Sequence, residues 1–155
     1  YWKENRANNK VKAGDNAGIF HKKSGYVRVC VNGIRYKLHY LIFMYHNGYI
    51  PASSQMIDHI DTDKTNNRIE NLRIASKGEN NRNQGKRKDN TSGIKGVSIY
   101  HNKDVIHAQI QSNGKKYHKH FKPVNDINLS EAISWIHSIR QELHGKFANN
   151  GDQYD

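Results

Sequence analysis

Ile57-Asp58-His59-Ile60-Asp61-Thr62-Asp63-Lys64-Thr65-Asn66-Asn67-Arg68-Ile69-Glu70-Asn71-Leu72-Arg73 is the densest polar stretch of the chain, and the architecture reads outward from it. Residues 55–59 read as a short strand that ends on two ionisable groups, Asp58 and His59. Residues 60–70 are a polar loop, and residues 71–74 return as a second strand. Ser76-Lys77-Gly78-Glu79 then matches a capping box, Ser at the N-cap with Glu three residues on, so a helix starts there and runs to about residue 83 or 84. Strand, loop, strand and helix thus follow one another within residues 55–84.

Upstream, residues 1–24 are polar and read as an extended arm anchored by Trp2 and Phe20. Residues 26–31 alternate well enough for a strand. Asn32-Gly33 is a two-residue hairpin signal, and residues 34–37 are the returning strand. Residues 38–45 are apolar with mixed periodicity and read as a short helix, stopped by Asn47-Gly48 with Pro51 beyond. Downstream, residues 85–92 are basic and polar, a linker. Three alternating runs follow, 94–100, 105–111 and 115–121, with Asn113-Gly114 at the second turn. Asn128 with Glu131 is read as the cap of a last helix, whose apolar stripe is Ala132, Ile133, Ile136, Ile139 and Leu143 and whose stop is Gly145.

The chain has 155 residues with 25 Lys and Arg against 14 Asp and Glu, a formal charge of +11. That excess is not spread evenly. Residues 77–122 carry eleven basic and three acidic side chains, whereas residues 123–155 carry two and five. A polyanion is the expected partner, with Lys86, Arg87 and Lys88 at the centre of the basic region, although such a triplet also suits a solvated linker. Only 35% of residues are hydrophobic, so any core is small. A single cysteine, Cys30, excludes an internal disulfide and any Cys-based zinc cage, and suits a reducing, cytoplasmic compartment. No apolar run approaches membrane-spanning length and no signal peptide opens the chain, so no membrane partner is expected.

Phosphodiester hydrolysis needs a hard cation held by few protein oxygens, so that water and phosphate oxygens complete its shell. It also needs a base with a pKa near neutrality. Asp58 and His59 adjoin at a strand end, so their side chains point to opposite sides, one towards a cation and one towards substrate. Asn80 falls in the first turn of the following helix, and the strand-loop-strand-helix order can fold it back over Asp58. A carboxylate plus an amide oxygen is weak ligation, which suits a magnesium-like ion with an open shell. Taken alone, an Asp-His pair and Asn-rich turns are also ordinary loop chemistry.

Residues 57–73, followed by Glu79-Asn80-Asn81-Arg82-Asn83, resemble the HNH endonuclease family, in the phage and mobile-element branch whose motif reads Asp-His, Asn-Leu-Arg, Glu-Asn-x-x-Asn. The stretch from Gly25-Tyr26 to Leu38-His39, with Gly48-Tyr49-Ile50-Pro51, is similar to that branch as well. The resemblance implies a ββα-metal nuclease module over residues 1–84. It implies His59 as general base, Asp58 and Asn80 as ligands of one divalent ion (Mg²⁺, with Mn²⁺ as alternative), and Asn71 as the residue that pins the loop. Asn80 stands where the family name implies His, which weakens affinity for soft metals. His39 also recurs in the family pattern, and packing is its expected role. Arg73 and Arg82 are candidates for phosphate contact, with surface ion pairing as the plainer alternative.

Asn90-Thr91-Ser92-Gly93-Ile94-Lys95-Gly96-Val97, Ala108-Gln109-Ile110, Asn113-Gly114-Lys115 and Leu143-His144-Gly145 resemble the AP2 or ethylene-response-factor DNA-binding domain, although Ile99 and Ile106 stand where that family usually has Trp. The expected organisation is therefore a nuclease domain at 1–84, a linker at 85–92, an AP2-like domain at 93–147 and a tail at 148–155. The fold class is α+β, a ββα module plus a three-stranded antiparallel sheet packed on one helix. By parity, Ser98, Tyr100, His107, Gln109 and Gln111 face away from the core formed by Val97, Ile99, Ile106, Ala108 and Ile110. Double-stranded DNA is the expected partner, met by Arg73, Arg82, Asn83, Lys86, Arg87, Lys88, Lys95, Tyr100, His107, Gln109, Gln111, Lys116 and His118. For the pair His118 and His120, solvent or phosphate contact is expected in preference to metal binding. The expected function is a metal-dependent DNA endonuclease of nicking or homing type that needs no small-molecule cofactor. The alternative is a sequence-specific DNA-binding protein or regulator with a vestigial nuclease site.

Overall fold

A computed structural model describes residues 18–151, so the expected anchor Trp2 and residues 152–155 of the tail lie outside the described residues. The chain divides into two compact units, Tyr1–Ala75 and Ser76–Asp155. Helices and antiparallel sheets are mixed along it, the α+β class expected from the sequence. Among the described residues no helix is long and apolar enough to cross a membrane.

In the first unit, β1 (Ile19–His21), β2 (Tyr26–Val31) and β3 (Ile34–Lys37) form one antiparallel sheet. Residues 19–21 are thus a paired strand and not an arm: Phe20 lies opposite Val27, and the edge of β2 satisfies their backbone. The β2–β3 turn is the expected Asn32-Gly33, with φ of 49° and 81°; both positive values are what a tight two-residue hairpin demands. Helix α1 (Leu38–Asn47) follows and ends as expected at Gly48, whose N–H returns to the carbonyl of Met44. Next come β4 (Gln55–His59) and β5 (Leu72–Ser76), a two-stranded sheet. Phe43 of α1, Ile57 of β4 and Leu72 of β5 form the buried centre, packed by Tyr40, Ile42, Ile69 and Ile74. Truncating Phe43 to Ala would cost about 3–5 kcal/mol. This cluster fixes the end of β4, and with it Asp58 and His59.

The second unit opens with the expected capping box. Ser76 Oγ accepts from the Glu79 N–H (3.3 Å), and Glu79 Oε2 accepts from the Ser76 N–H (2.8 Å), starting α2 (Lys77–Asn83). The hydrogen bonds with Ser76 hold the Glu79 carboxyl below the usual carboxylate range. Strands β6 (Val97–Tyr100), β7 (Val105–Ser112) and β8 (Lys115–Phe121) form an antiparallel sheet in that order, covered by α3 (Asp126–His144). Val97, Ile106, Ala108, Phe121, Ala132 and Ile136 are its core.

Two boundaries differ from expectation. β6 starts at Val97 and not at residue 94, because Gly96 sits at φ 83° with its carbonyl bonded to the Gln109 N–H. A Cβ there would meet the Gln109 carbonyl oxygen at 2.7 Å, so only glycine fits. The cap of α3 is Asn125, whose Oδ1 accepts from the Asn128 N–H (2.8 Å). Asn128 is already helical, and its own amide donates to the Pro123 carbonyl. The expected linker is also tied down, since Ser92 Oγ donates to the Val97 carbonyl (2.6 Å) and the Asn90 amide to the Ile94 carbonyl (3.0 Å).

Candidate functional site

Asp58 and His59 end β4, and each is 5% exposed. A carboxylate buried this deeply needs a counter-charge. Arg73 on β5 supplies it, with Nε and Nη2 each 2.9 Å from Asp58 Oδ2. The Arg73 side chain is 15% exposed and committed to Asp58, so it is placed to orient the carboxylate and not to meet an external phosphate.

Adjacent residues on a strand point to opposite sides, and His59 faces a box of rings. His39 lies edge-on at 4.8 Å between centroids, and Tyr26 is 6.1 Å away. His39 also contacts Tyr26 and Tyr40, each at 5.0 Å. It is 1% exposed, and burial, followed by the charges of His59 and Lys37, pushes its pKa down to about 3. His39 is therefore a neutral packing group at physiological pH. Lys37 and Lys64 place their ammonium groups 4.7 and 4.9 Å from the centre of the Tyr26 ring, closing the box.

The tautomer of His59 follows from Asn67, a residue that the motif contains but that was not singled out from sequence. The Asn67 Nδ2 donates to the Thr65 carbonyl (2.9 Å), and a carbonyl can only accept. Asn67 Oδ1 therefore faces His59 Nε2, at 3.2 Å, and accepts from it. With the proton on Nε2, the lone pair of neutral His59 resides on Nδ1. Tyr26 was likewise not singled out, although it stands in the stretch that resembles the family.

The loop between the strands is organised by Asn71. Its Oδ1 accepts from the Asp61 N–H (3.0 Å), while its Nδ2 donates to Asp61 Oδ1 and to the Asn66 carbonyl (2.8 Å each). Asp61 Oδ1 also accepts from the Asp63 N–H (2.9 Å), and Oδ2 from the Asn66 amide (2.6 Å). Asp63 accepts from the N–H and hydroxyl of Thr65 (2.8 and 2.7 Å), which holds its carboxyl below the usual range. These two loop carboxylates are thus engaged in turns. Asn71 touches no reacting position, and its geometry is that of a positioning residue.

Asn80 stands in α2 of the second unit and is half-buried. An Asp carboxylate and an Asn amide oxygen are hard donors, of the type that suits a magnesium-like ion. Among the described residues no three His, Cys, Asp or Glu side chains form a cage for a metal ion.

Within the second unit the expected DNA-contacting residues separate into two groups. Asn83 is 3% exposed, and its carbonyl accepts from the Asn149 amide (2.7 Å), so it is buried within the unit and not presented to DNA. Lys95 donates to the carbonyls of Arg82 (3.2 Å), Gln84 and Asn149 (2.8 Å). An ammonium has three protons, and all three are used, so Lys95 fastens the end of α2 instead of binding phosphate. Burial, then the charge of Arg140, lowers its pKa to about 8. Arg82 gives one donor to Asn113 (2.7 Å), and Arg87 forms an exposed pair with Asp89 (3.0 Å). Lys86 is half-buried and Lys88 exposed. Tyr100, His107, Gln109, Gln111, Lys116 and His118 do share the sheet face opposite the core, with Gln109 paired to His118 and Gln111 to Lys116.

Comparison with known proteins bears on this arrangement. Residues 36–82 match the HNH endonuclease family model, a segment that contains Asp58, His59, Asn67, Asn71 and Asn80. The chain is 37% identical over 102 residues to Protein 3.8 of Escherichia phage T7, an alignment that covers 66% of this chain and 79% of that protein. No solved structure matches the chain. The likeness of residues 93–147 to the ethylene-response-factor domain gains no support from these comparisons.

Proposed function

The chain belongs to the family of the phage Protein 3.8 and carries an HNH endonuclease segment, and from that premise we propose that it is a metal-dependent endonuclease acting on double-stranded DNA. The observation that carries the reading is the hydrogen bond between His59 and Asn67. The His59 Nε2 donates to Asn67 Oδ1, which leaves Nδ1 as the nitrogen that carries the lone pair of the neutral imidazole, on the strand end that also bears the buried Asp58 carboxylate. In this reading His59 is the general base and takes a proton from the attacking water at Nδ1. Arg73 fixes the Asp58 carboxylate, and Asp58 and Asn80 are the residues that would hold one Mg²⁺ or Mn²⁺. When bound, that ion supplies charge stabilisation at the phosphate and at the leaving 3′ oxygen. The rings of His39 and Tyr26 exclude water from the far side of His59. Products carry 5′-phosphate and 3′-hydroxyl ends, and one site per chain cuts one strand.

Holding the duplex falls to the basic region at 77–122, through Arg82, Lys86, Arg87, Lys88 and the open sheet face with Tyr100, His107, Gln109, Gln111, Lys116 and His118. The phage origin of the relative supports a phage-encoded protein that works on DNA in the cytoplasm of a bacterial host.

The test incubates supercoiled plasmid with the protein and Mg²⁺ or Mn²⁺, with and without excess EDTA. Nicking that EDTA stops, and that His59→Ala removes while gel-shift affinity stays within about twofold, is the expected outcome. Nicking by His59→Ala at the wild-type rate would sink the mechanism. Binding without cleavage under any divalent ion would favour the DNA-binding regulator with a vestigial site.

A further inference from the structure

Three imidazoles gather on the open face of the second-unit sheet, away from the α3-covered core. Register places His107 of β7 opposite His120 of β8, and His118 one row along, opposite Gln109. The His107 and His120 rings stack at 4.6 Å between centroids and 24° between planes. His118 stands edge-on to both, 5.9 Å from His107 and 5.7 Å from His120. A shallow cleft beside them is lined by Tyr100, Lys103, Val105, His107 and His120. The titratable and charged groups facing the cluster are Tyr100 from β6, Lys103 from the turn that follows it and Lys116 from β8, while Ser98 on β6 lies opposite His107. No carboxylate is among them.

We propose that His107, His118 and His120 form a site for a backbone phosphate of DNA, one that fills with uptake of protons. The proposal rests on the reading that this sheet face meets DNA and adds to it the chemistry of recognition. Three ring groups within 6 Å of one another and without a carboxylate repel when charged. In the free protein burial, followed by the charges of His120 and His118, pushes His107 below its ordinary value of 6.5. A phosphodiester seated across the rings reverses the balance. It accepts hydrogen bonds from imidazolium N–H groups and cancels their mutual repulsion, so the pKa values rise on binding. Lys103 and Lys116 add positive charge that keeps the face attractive to DNA when the imidazoles are neutral.

The sign follows from linkage. A group that binds its proton more tightly in the complex strengthens binding as pH falls, and the gain is lost as pH rises through the bound-state value. Each proton taken up in full changes the affinity about tenfold per pH unit. The stacked pair and the edge-on ring therefore form a proton-counting contact.

The experiment measures the affinity of the full chain for a labelled duplex oligonucleotide from pH 5.5 to 8, at fixed ionic strength and in EDTA, for wild type and for the triple variant H107Q/H118Q/H120Q. His46→Gln, an exposed histidine of α1, is the control, and circular dichroism checks folding. Wild type and the control are expected to bind ~10-fold or more tightly at pH 6 than at pH 7.5, while the triple variant stays within about twofold across that window. A triple variant that keeps the wild-type slope, or a wild type without one, overturns the site while leaving DNA binding in place. No binding by wild type at any pH overturns both the site and the DNA-facing reading.

Discussion

Asn71 offers the sharpest test of how the loop is held, because it makes three hydrogen bonds with no redundancy among them. One goes to the carboxylate of Asp61 and two go to neutral backbone groups, the Asp61 N–H and the Asn66 carbonyl. A bond to a charged group contributes roughly 1.5–3 kcal/mol and a neutral one about 0.5–1.5 kcal/mol. The loop is half-buried, so water re-pairs part of what Asn71→Ala releases, and the sum falls at the low ends, about 2–3 kcal/mol. Asn71→Asp keeps an acceptor for the Asp61 N–H but sets a second carboxylate where an amide now lies 2.8 Å from Asp61 Oδ1. Like charges add a penalty on the order of 1 kcal/mol at a half-solvated position. The near-isosteric variant is therefore expected to be the worse of the two. Urea unfolding followed by circular dichroism reads this as a midpoint shift of about 1–2 M for Ala and a larger one for Asp. Plasmid nicking should fall with both, since Asn66 adjoins Asn67, the partner of His59. A midpoint shift under about 0.3 M for Ala, or an Asp variant as stable as Ala, would refute this account of the loop.

Other outcomes follow from the same geometry. Because folding lowers the His39 pKa to about 3, its neutral ring favours the fold above its ordinary value of 6.5, and that stability drains as pH falls from 6.5 towards 3, by about 1.4 kcal/mol per pH unit. His39→Leu should flatten this acid limb in urea midpoints taken at pH 7.5 and 5, and an unchanged limb would contradict it. Lys95→Met leaves the carbonyls of Arg82, Gln84 and Asn149 without their shared donor. Amide exchange in residues 77–84 should then quicken ~10-fold or more, and wild-type protection there would count against the fastening role. DNA binding should weaken with salt at about −0.9 log units per phosphate contacted, and a slope shallower than about −2 would speak against a basic track of several contacts.

The elements around the site were legible because their signals are local. The β4 run, the Asn32-Gly33 turn, the Ser76 capping box and the alternation of β7 each depend on residues within a few positions of one another. Asn71 was readable as a loop pin from its place in the motif. What escaped were facts of three-dimensional partnership. Nothing in the local sequence says that Arg73 must neutralise a buried Asp58 fifteen residues away, or that Lys95 must saturate three carbonyls, one of them at residue 149. Asn67 looked like one more polar loop residue until its second amide partner fixed which way it points. His107 completed the His118 and His120 pair only through cross-strand register, which spacing along one strand cannot supply. The cap of α3 was misplaced for a plainer reason: Asn125 and Asn128 are both competent caps, and only the bond from the Asn128 N–H to the Asn125 side-chain oxygen (2.8 Å) distinguishes them.

The fastening of α2 bears on how such a chain can be recombined. The helix that ends the HNH segment is held by Lys95 and by Asn149, near the far end of the chain. A graft that cut in the basic stretch after residue 84, the natural place to a reader of sequence, would carry the helix away from both. A crossover just before Ser76, where the compact units divide, keeps helix and clasp together. Shuffling of this nuclease with other C-terminal modules is thereby steered to one seam, and any module joined elsewhere must bring a clasp of its own.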